Sequence, residues 1–305
     1  MYLPELHEEF LQYLEVERNY SPLTITAYRS DFRSFLRYLN DQAIEATAEQ
    51  INRAVVRGYI AWLHEAGLSA KSVARHIHSL RSFWNYMLEE EYVSSHPFGR
   101  ISIPKTPQYV PRFLSAEEVR ELLAATERQS SVFDAFRDKA ILSLLVFCGL
   151  RRSEILGLRL SNVNLRTGTV AIVGGKGRRS RRVPVCAEAM GAVQDWLEMR
   201  PSDCRHDHVF VCKWGAPLSK NGLGACLKRA LSKTNIQAAG VTLHTLRHTF
   251  ATLLLRGGCD LFSLQQLLGH SRLDTTAIYL HSGLGDLQEA VNCHPLVNAE
   301  GGHGS

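Results

Sequence analysis

The sequence predicts a mainly α-helical protein with a small β-sheet, divided into two domains. Apolar residues recur at helical spacing through the first hundred residues. Three prolines within "ISIPKTPQYVPR", residues 101–112, break any helix there and leave an extended connection. Two short alternating segments, "TVAIV" and "RRVPV", flank the turn-forming stretch "GGKGRRS". A chain of 305 residues is long enough for two domains, each with its own core.

The helices can be justified in order. In "SPLTITAYRSDFRSFLRYL", Ser21 is placed to cap and Pro22 to occupy the first helical position, ahead of a stripe at Tyr28, Phe32, Phe35, Leu36 and Leu39. The next helix is expected to end at Gly67. Another starts from Ser69, with Val73, Ile77, Leu80, Trp84 and Met87 on one face. Its opposite face carries Lys71, Arg75, His78 and Ser82, with Arg81 beside them; this is either a solvated surface or one that faces a polyanion. Past the proline-rich link, Ser115 and Glu118 form a capping-box pattern. A very apolar helix, "KAILSLLVFCGL", ends near Gly149. The alternating pair then makes a hairpin with a long basic tip, and the remainder reads as helical apart from a short strand near 208–212. There is no internal repeat or low-complexity tract, and "GGHGS" reads as a flexible tail.

Composition excludes several classes. No run of about 18 apolar residues is present, and "MYLPELHEEF" has neither a basic nor an apolar leader region, so a cytoplasmic protein is expected, not a secreted or membrane-spanning one. Seven scattered cysteines fit a reducing compartment better than a disulfide framework. "DCRHDHVFVC" offers Cys204, His206, His208 and Cys212, but their spacing matches no common zinc pattern, and no metal is expected. Net charge is +5 and unevenly spread: residues 1–112 carry −1 and the rest +6, with five cations in "KGRRSRR", residues 176–182. That distribution suits a nucleic-acid partner.

Two further patterns bear chemistry. "HTLRHTFATLLLRGG" sets His244 and Arg247 three apart, on one face at the start of a helix, where an arginine fork and a helix N-terminus both favour an anion. "CGLRRSEILGL" brings Arg151 out of the apolar helix at the core's edge; the competing reading is a surface arginine paired with Glu154. Taken singly, neither pattern is specific.

Together, "GLRRSEILGL", "GGKGRRSRRVPV", "LHTLRHTFATLL" and "LGHSRLDTTAIYLH" resemble, in order and spacing, the motifs of the tyrosine recombinase family, the integrases and Xer-type recombinases. "ERNYSPLTITAYRSDFRSFLRYL" is similar to the helical, SAM-like core-binding domain that precedes the α+β catalytic domain in that family. The resemblance implies that Tyr279 attacks a DNA phosphodiester, leaving a 3′-phosphotyrosine and a free 5′-hydroxyl. It assigns His244 as base, Arg151 and Arg247 to the non-bridging oxygens, His270 as a further donor and Lys176 as general acid. The chemistry is coherent: a phenol with a pKa of about 10 needs a base, and two arginines neutralise the charge that builds up at phosphorus. No cofactor, metal or ATP is implied. Lys71, Arg75, Arg81 and the hairpin's Arg178 are the candidate DNA contacts.

The implied organisation is a core-binding domain over 1–100, a linker over 101–112, a catalytic domain over 113–283, a docking helix over 284–300 and a tail over 301–305. Partners would be double-stranded recombination sites and further copies of the chain, four on two sites, joined through a Holliday junction. Arg152, Asn162 and Asn164 depart from the family's usual residues and leave the subfamily open. No arm-binding stretch is seen ahead of residue 1, so simple sites are expected. A type IB topoisomerase would share the nucleophile and arginines, and a DNA-binding protein with an inactive pocket is the other alternative.

Overall fold

A computed structural model describes residues 1–99, 101–102, 112–174 and 180–269. The chain separates into two compact units, Met1–Tyr109 and Val110–Ser305. Among the described residues no helix is long and apolar enough to cross a membrane.

The first unit is a bundle of α1 (Leu3–Val16), α2 (Pro22–Asp41), α3 (Arg53–Glu65) and α4 (Ala70–Glu89). Capping follows local chemistry: the Ser21 and Ser69 hydroxyls accept from the N–H groups of Thr24 and Ser72, and Asn52 accepts from Ala54 and Val55. Gly67, at φ +76°, turns the chain between α3 and α4. The stripes read from sequence meet in an aromatic core of Phe10, Phe32, Phe35, Tyr59, Phe83, Trp84 and Phe98. His7 belongs to that core: it stacks on Phe32 at 3.8 Å, and burial drives its pKa down to about 3.

The second unit comprises α5 (Ala116–Glu127), α6 (Val132–Cys148), α7 (Arg152–Leu156), strands β1 (Val163–Asn164), β2 (Thr169–Ile172) and β3 (Arg181–Pro184), then α8 (Ala187–Met199), α9 (Lys220–Leu231), α10 (Leu243–Arg256) and α11 (Leu261–Leu268). The Ser115–Glu118 capping box forms at the head of α5. Helix α6 is the axis: Ala140, Ile141, Leu142, Leu144 and Leu145 are all fully buried, and α5, α8, α9 and α10 pack around it. It starts about two turns earlier than the apolar run, and Arg137 and Asp138 are buried with it. Asp138 accepts from Arg137 and, at 2.7 Å, from Arg229 of α9.

The three strands form an antiparallel sheet in the order β1-β2-β3, with Val170 opposite both Val163 and Val183. The basic tip between β2 and β3, residues 175–179, lies outside the described residues. The strand expected near 208–212 does not form. His208 and Val211 each make a single bridge, to Arg159 and Pro217, while Val209, Phe210 and Val211 are all buried instead of alternating. A tight turn, closed by Cys212 N–H to the Ala216 carbonyl, ends the segment before a ladder can grow.

Helix α6 stops at Gly149, which lies at φ +59° with its α-carbon against α10; a β-carbon there would come 2.3 Å from Phe250 Cδ1. Gly149→Ala is therefore expected to lower stability by about 2–4 kcal/mol, combining left-handed strain with overpacking. Gly191, inside α8 with nothing within 4 Å of its would-be β-carbon, is the control. Gly191→Ala should raise stability by up to about 1 kcal/mol. Urea unfolding of the two variants checks both signs.

Candidate active site

The site is built where α6 ends. Beyond Gly149, Leu150 is buried and Arg151 caps the short helix α7; Glu154 reaches back so that its carboxylate accepts from the Arg151 N–H at 2.8 Å and from Arg151 Nη1 at 2.9 Å. This is the pairing that the sequence offered as the rival to a catalytic role for Arg151, but it is not a surface pair. Glu154 is 8% exposed, and a second arginine, Arg181 of β3, forks onto the same carboxylate with Nη1 at 2.9 Å and Nη2 at 3.0 Å.

Arg247 enters from α10, whose first turn is capped by Thr242 and Thr245. It is 5% exposed and donates to the Gly149 carbonyl from Nη1 and to the Leu268 carbonyl from Nη2 at 2.7 Å. Arg151 Nη2 donates to the Gly269 carbonyl at 2.9 Å, and Arg181 Nε to the Leu267 carbonyl at 2.9 Å. Three successive carbonyls at the end of α11 thus each accept from a different arginine. A helix C-terminus carries carbonyls without intrahelical partners and a partial negative charge, and guanidinium groups satisfy both. Gly269 closes the arrangement at φ +61°; a β-carbon on it would lie 2.8 Å from Arg181 Nη1. The next residue in the chain is His270.

His244 is exposed on the first turn of α10, three residues before Arg247. His248, one turn further, is half-buried and held below the usual imidazole range, first by burial and then by His244 and Arg247. The structure therefore brings Arg151 and Arg247 onto one helix end, with His244 on the helix that carries Arg247. Lys176, Arg178, His270 and Tyr279 lie outside the described residues.

Sequence reasoning missed Arg181 and gave Glu154 only a competing role. A signal was present: Arg181, Val183 and Val185 alternate, which places Arg181 on the core-facing side of β3. In the first unit, Lys71 is exposed on α4. Arg75, half exposed, is held by Nη1 at 2.6 Å from Oδ2 of the buried Asp31. Arg81 turns instead to the carbonyls of Phe98 and Ile101, both at 3.0 Å, and braces the end of the unit. Among the described residues no three His, Cys, Asp or Glu side chains converge as a metal site; His208 Nδ1 lies 3.3 Å from the Arg159 guanidinium.

Comparison with known proteins is consistent in both halves. The model of the Phage integrase family matches residues 112–284, and that of the phage integrase N-terminal SAM-like domain matches 7–91. The chain is 37% identical to tyrosine recombinase XerC of Listeria welshimeri over 282 residues, 91% of this chain and 93% of that one. It is also 37% identical to tyrosine recombinase XerD of Halalkalibacterium halodurans over 280 residues, 90% and 92%. Among solved structures, XerH site-specific recombinase bound to palindromic difH substrate shares the fold with a TM-score of 0.74, at 24% identity over 90% of this chain and 81% of that one.

The environment of Glu154 makes a pH prediction. Burial, the largest single influence, would raise its carboxyl. The hydrogen bonds from Arg181 and the Arg151 backbone, with the charge of Arg181 and the Arg151 side-chain bond, outweigh it and hold the group at about 2. A folded-state pKa below the unfolded value of 4.5 stabilises the fold by about 3 kcal/mol above that pH, and the gain is lost as pH falls towards 2. Wild type should be more stable than Glu154→Gln at neutral pH, with the difference shrinking below pH 4.5. Urea midpoints measured across that range test this, and a difference independent of pH would contradict it.

Proposed function

The chain belongs to the phage integrase family of tyrosine recombinases, and on that premise we propose that it is a site-specific DNA recombinase cleaving and rejoining strands through a 3′-phosphotyrosine intermediate. The observation that carries this reading for the chain's own residues is the convergence of Arg151 and Arg247 on the carbonyls just ahead of His270. A guanidinium has five N–H donors in a rigid plane, so Arg151 retains donors beyond those given to Glu154 and Gly269, and it is 24% exposed. It is the arginine open to an incoming phosphate. Arg247, 5% exposed and held at the same helix end, is the proposed second phosphate donor.

The reaction then follows from elementary chemistry. The Tyr279 hydroxyl attacks phosphorus and passes its proton to His244. Arg151, Arg247 and His270 hold the non-bridging oxygens as charge builds in the five-coordinate transition state, and Lys176 protonates the departing 5′-oxygen. The tyrosyl phosphodiester conserves the energy of the broken bond, so a 5′-hydroxyl from another strand can reverse the step without a nucleotide cofactor. Lys71, Arg75 and Arg178 are the proposed DNA contacts. Arg75 is the best prepared of these, because a buried carboxylate holds its guanidinium in place before DNA arrives. Four copies acting on two sites, each copy docking residues 284–300 on its neighbour, complete the reading, and the cytoplasmic nucleoid is where such a protein would work.

The test is to trap DNA covalently on the protein in cells and sequence its ends, which also identifies the site. On a nicked duplex carrying that site, wild type should form a covalent protein–DNA band on a denaturing gel and Tyr279→Phe should form none while still binding. A band from the Phe variant would refute the nucleophile assignment. Resealing of the same strand by a monomer, without exchange between sites, would favour the topoisomerase alternative. For Lys176, Lys176→Ala should cleave slowly on the natural substrate and recover on one whose 5′-bridging oxygen is sulfur, a leaving group that needs no proton. Equal slowness on both would assign the lysine to phosphate binding.

A further inference from the structure

Arg181 takes no part in the steps above, yet all three nitrogens of its guanidinium are committed. Nη1 and Nη2 fork onto Glu154, Nε donates to the Leu267 carbonyl, and the side chain is 12% exposed. With its donors turned inward, Arg181 is not placed to touch DNA. Its partner Glu154 is the same carboxylate that holds Arg151. If Glu154 faced Arg151 alone, the two would form a neutral buried pair, and the field of Arg151 at an incoming phosphate would be largely cancelled. With two guanidinium groups sharing one carboxylate, the cluster keeps a net positive charge. The exposed member, at 24%, is Arg151.

We propose that Arg181 is a positioning residue for strand cleavage: by sharing the Glu154 carboxylate it keeps that charge from neutralising the Arg151 guanidinium that faces the scissile phosphate, while its Nε holds the end of α11 in register. This rests on the reading of the site as one that cleaves a DNA phosphodiester. It accounts for a bidentate pair at this depth, where a single arginine would already satisfy the carboxylate's charge. It also gives Gly269 a reason beyond its positive φ, since a side chain there would displace the Arg181 fork.

The proposal makes a prediction that a purely structural role does not. Arg181→Met should slow covalent complex formation on the nicked duplex about 100-fold, the scale of losing one well-placed transition-state donor, with affinity for that duplex changed by less than about 3-fold. Adding Glu154→Gln to Arg181→Met removes the carboxylate charge that Arg151 would otherwise face without Arg181. The double variant should then cleave about 10-fold faster than Arg181→Met alone, a coupling of opposite sign to that expected when two structural contacts are lost. A double variant as slow as Arg181→Met, or slower, overturns the proposal.

Circular dichroism melts accompany each variant. If Arg181→Met does not fold, Arg181→Lys carries the test, because it keeps the charge and loses only the fork. Its cleavage rate should stay within about 10-fold of wild type, and a larger loss overturns the electrostatic role. Wild-type protein that forms no covalent product overturns the recombinase reading itself, and the proposal with it.

Discussion

The second unit depends on how the C-terminal end of α11 is held. Its last carbonyls, at Leu267, Leu268 and Gly269, face Arg181, Arg247 and Arg151 in turn. These arginines come from a strand, a long helix and a helix cap that are far apart in sequence. A helix end left without partners in a partly buried setting is costly, and guanidinium groups meet both its hydrogen-bonding need and its partial charge. The same contacts tie the sheet, α10 and the end of α6 to one point. The stretch of chain that follows starts from a backbone whose position is set by three cations.

Three arginines brought together would repel one another without a counter-charge. Glu154 supplies it, and the structure spends a buried carboxylate to do so. Desolvation alone would push that group towards its neutral form, but the hydrogen bonds from Arg181 and Arg151 keep it ionised. The balance leaves a cluster that is anionic at its centre and cationic at its rim. Rigid cations at the rim suit stabilisation of a phosphoryl transition state, because their orientation is set during folding and not during the reaction.

The first unit uses the same device on a smaller scale. Asp31 is fully buried beneath Arg75, and burial raises its pKa against the opposing pull of His76 and Arg75. His76 also meets the Tyr59 hydroxyl, at 2.9 Å from its Nδ1. An arginine on a helix surface would ordinarily sample many rotamers; one anchored to a buried carboxylate presents a fixed guanidinium to whatever approaches.

What the sequence determined by itself was local. Caps at Ser21, Ser69 and Ser115, the stop at Gly149, the alternation of β2 and β3 and the apolar stripes are properties of short windows, governed by backbone sterics and burial period, and they stand in the structure where they were read. Among the described residues, the strand expected at 208–212 failed because three consecutive buried residues need partners on both sides, which no window reveals. The motifs also named Arg151, His244 and Arg247. Only the tertiary structure decided what surrounds them. That Glu154 is buried and shared, that Arg181 belongs to the same cluster, that Arg81 turns inward, and that Arg75 has a carboxylate beneath it are all contacts between residues distant in sequence or turned towards the core. Charge pairing of this kind depends on which elements pack together: spacing offered the Arg151–Glu154 pair and the inward side of Arg181, but not that the two meet.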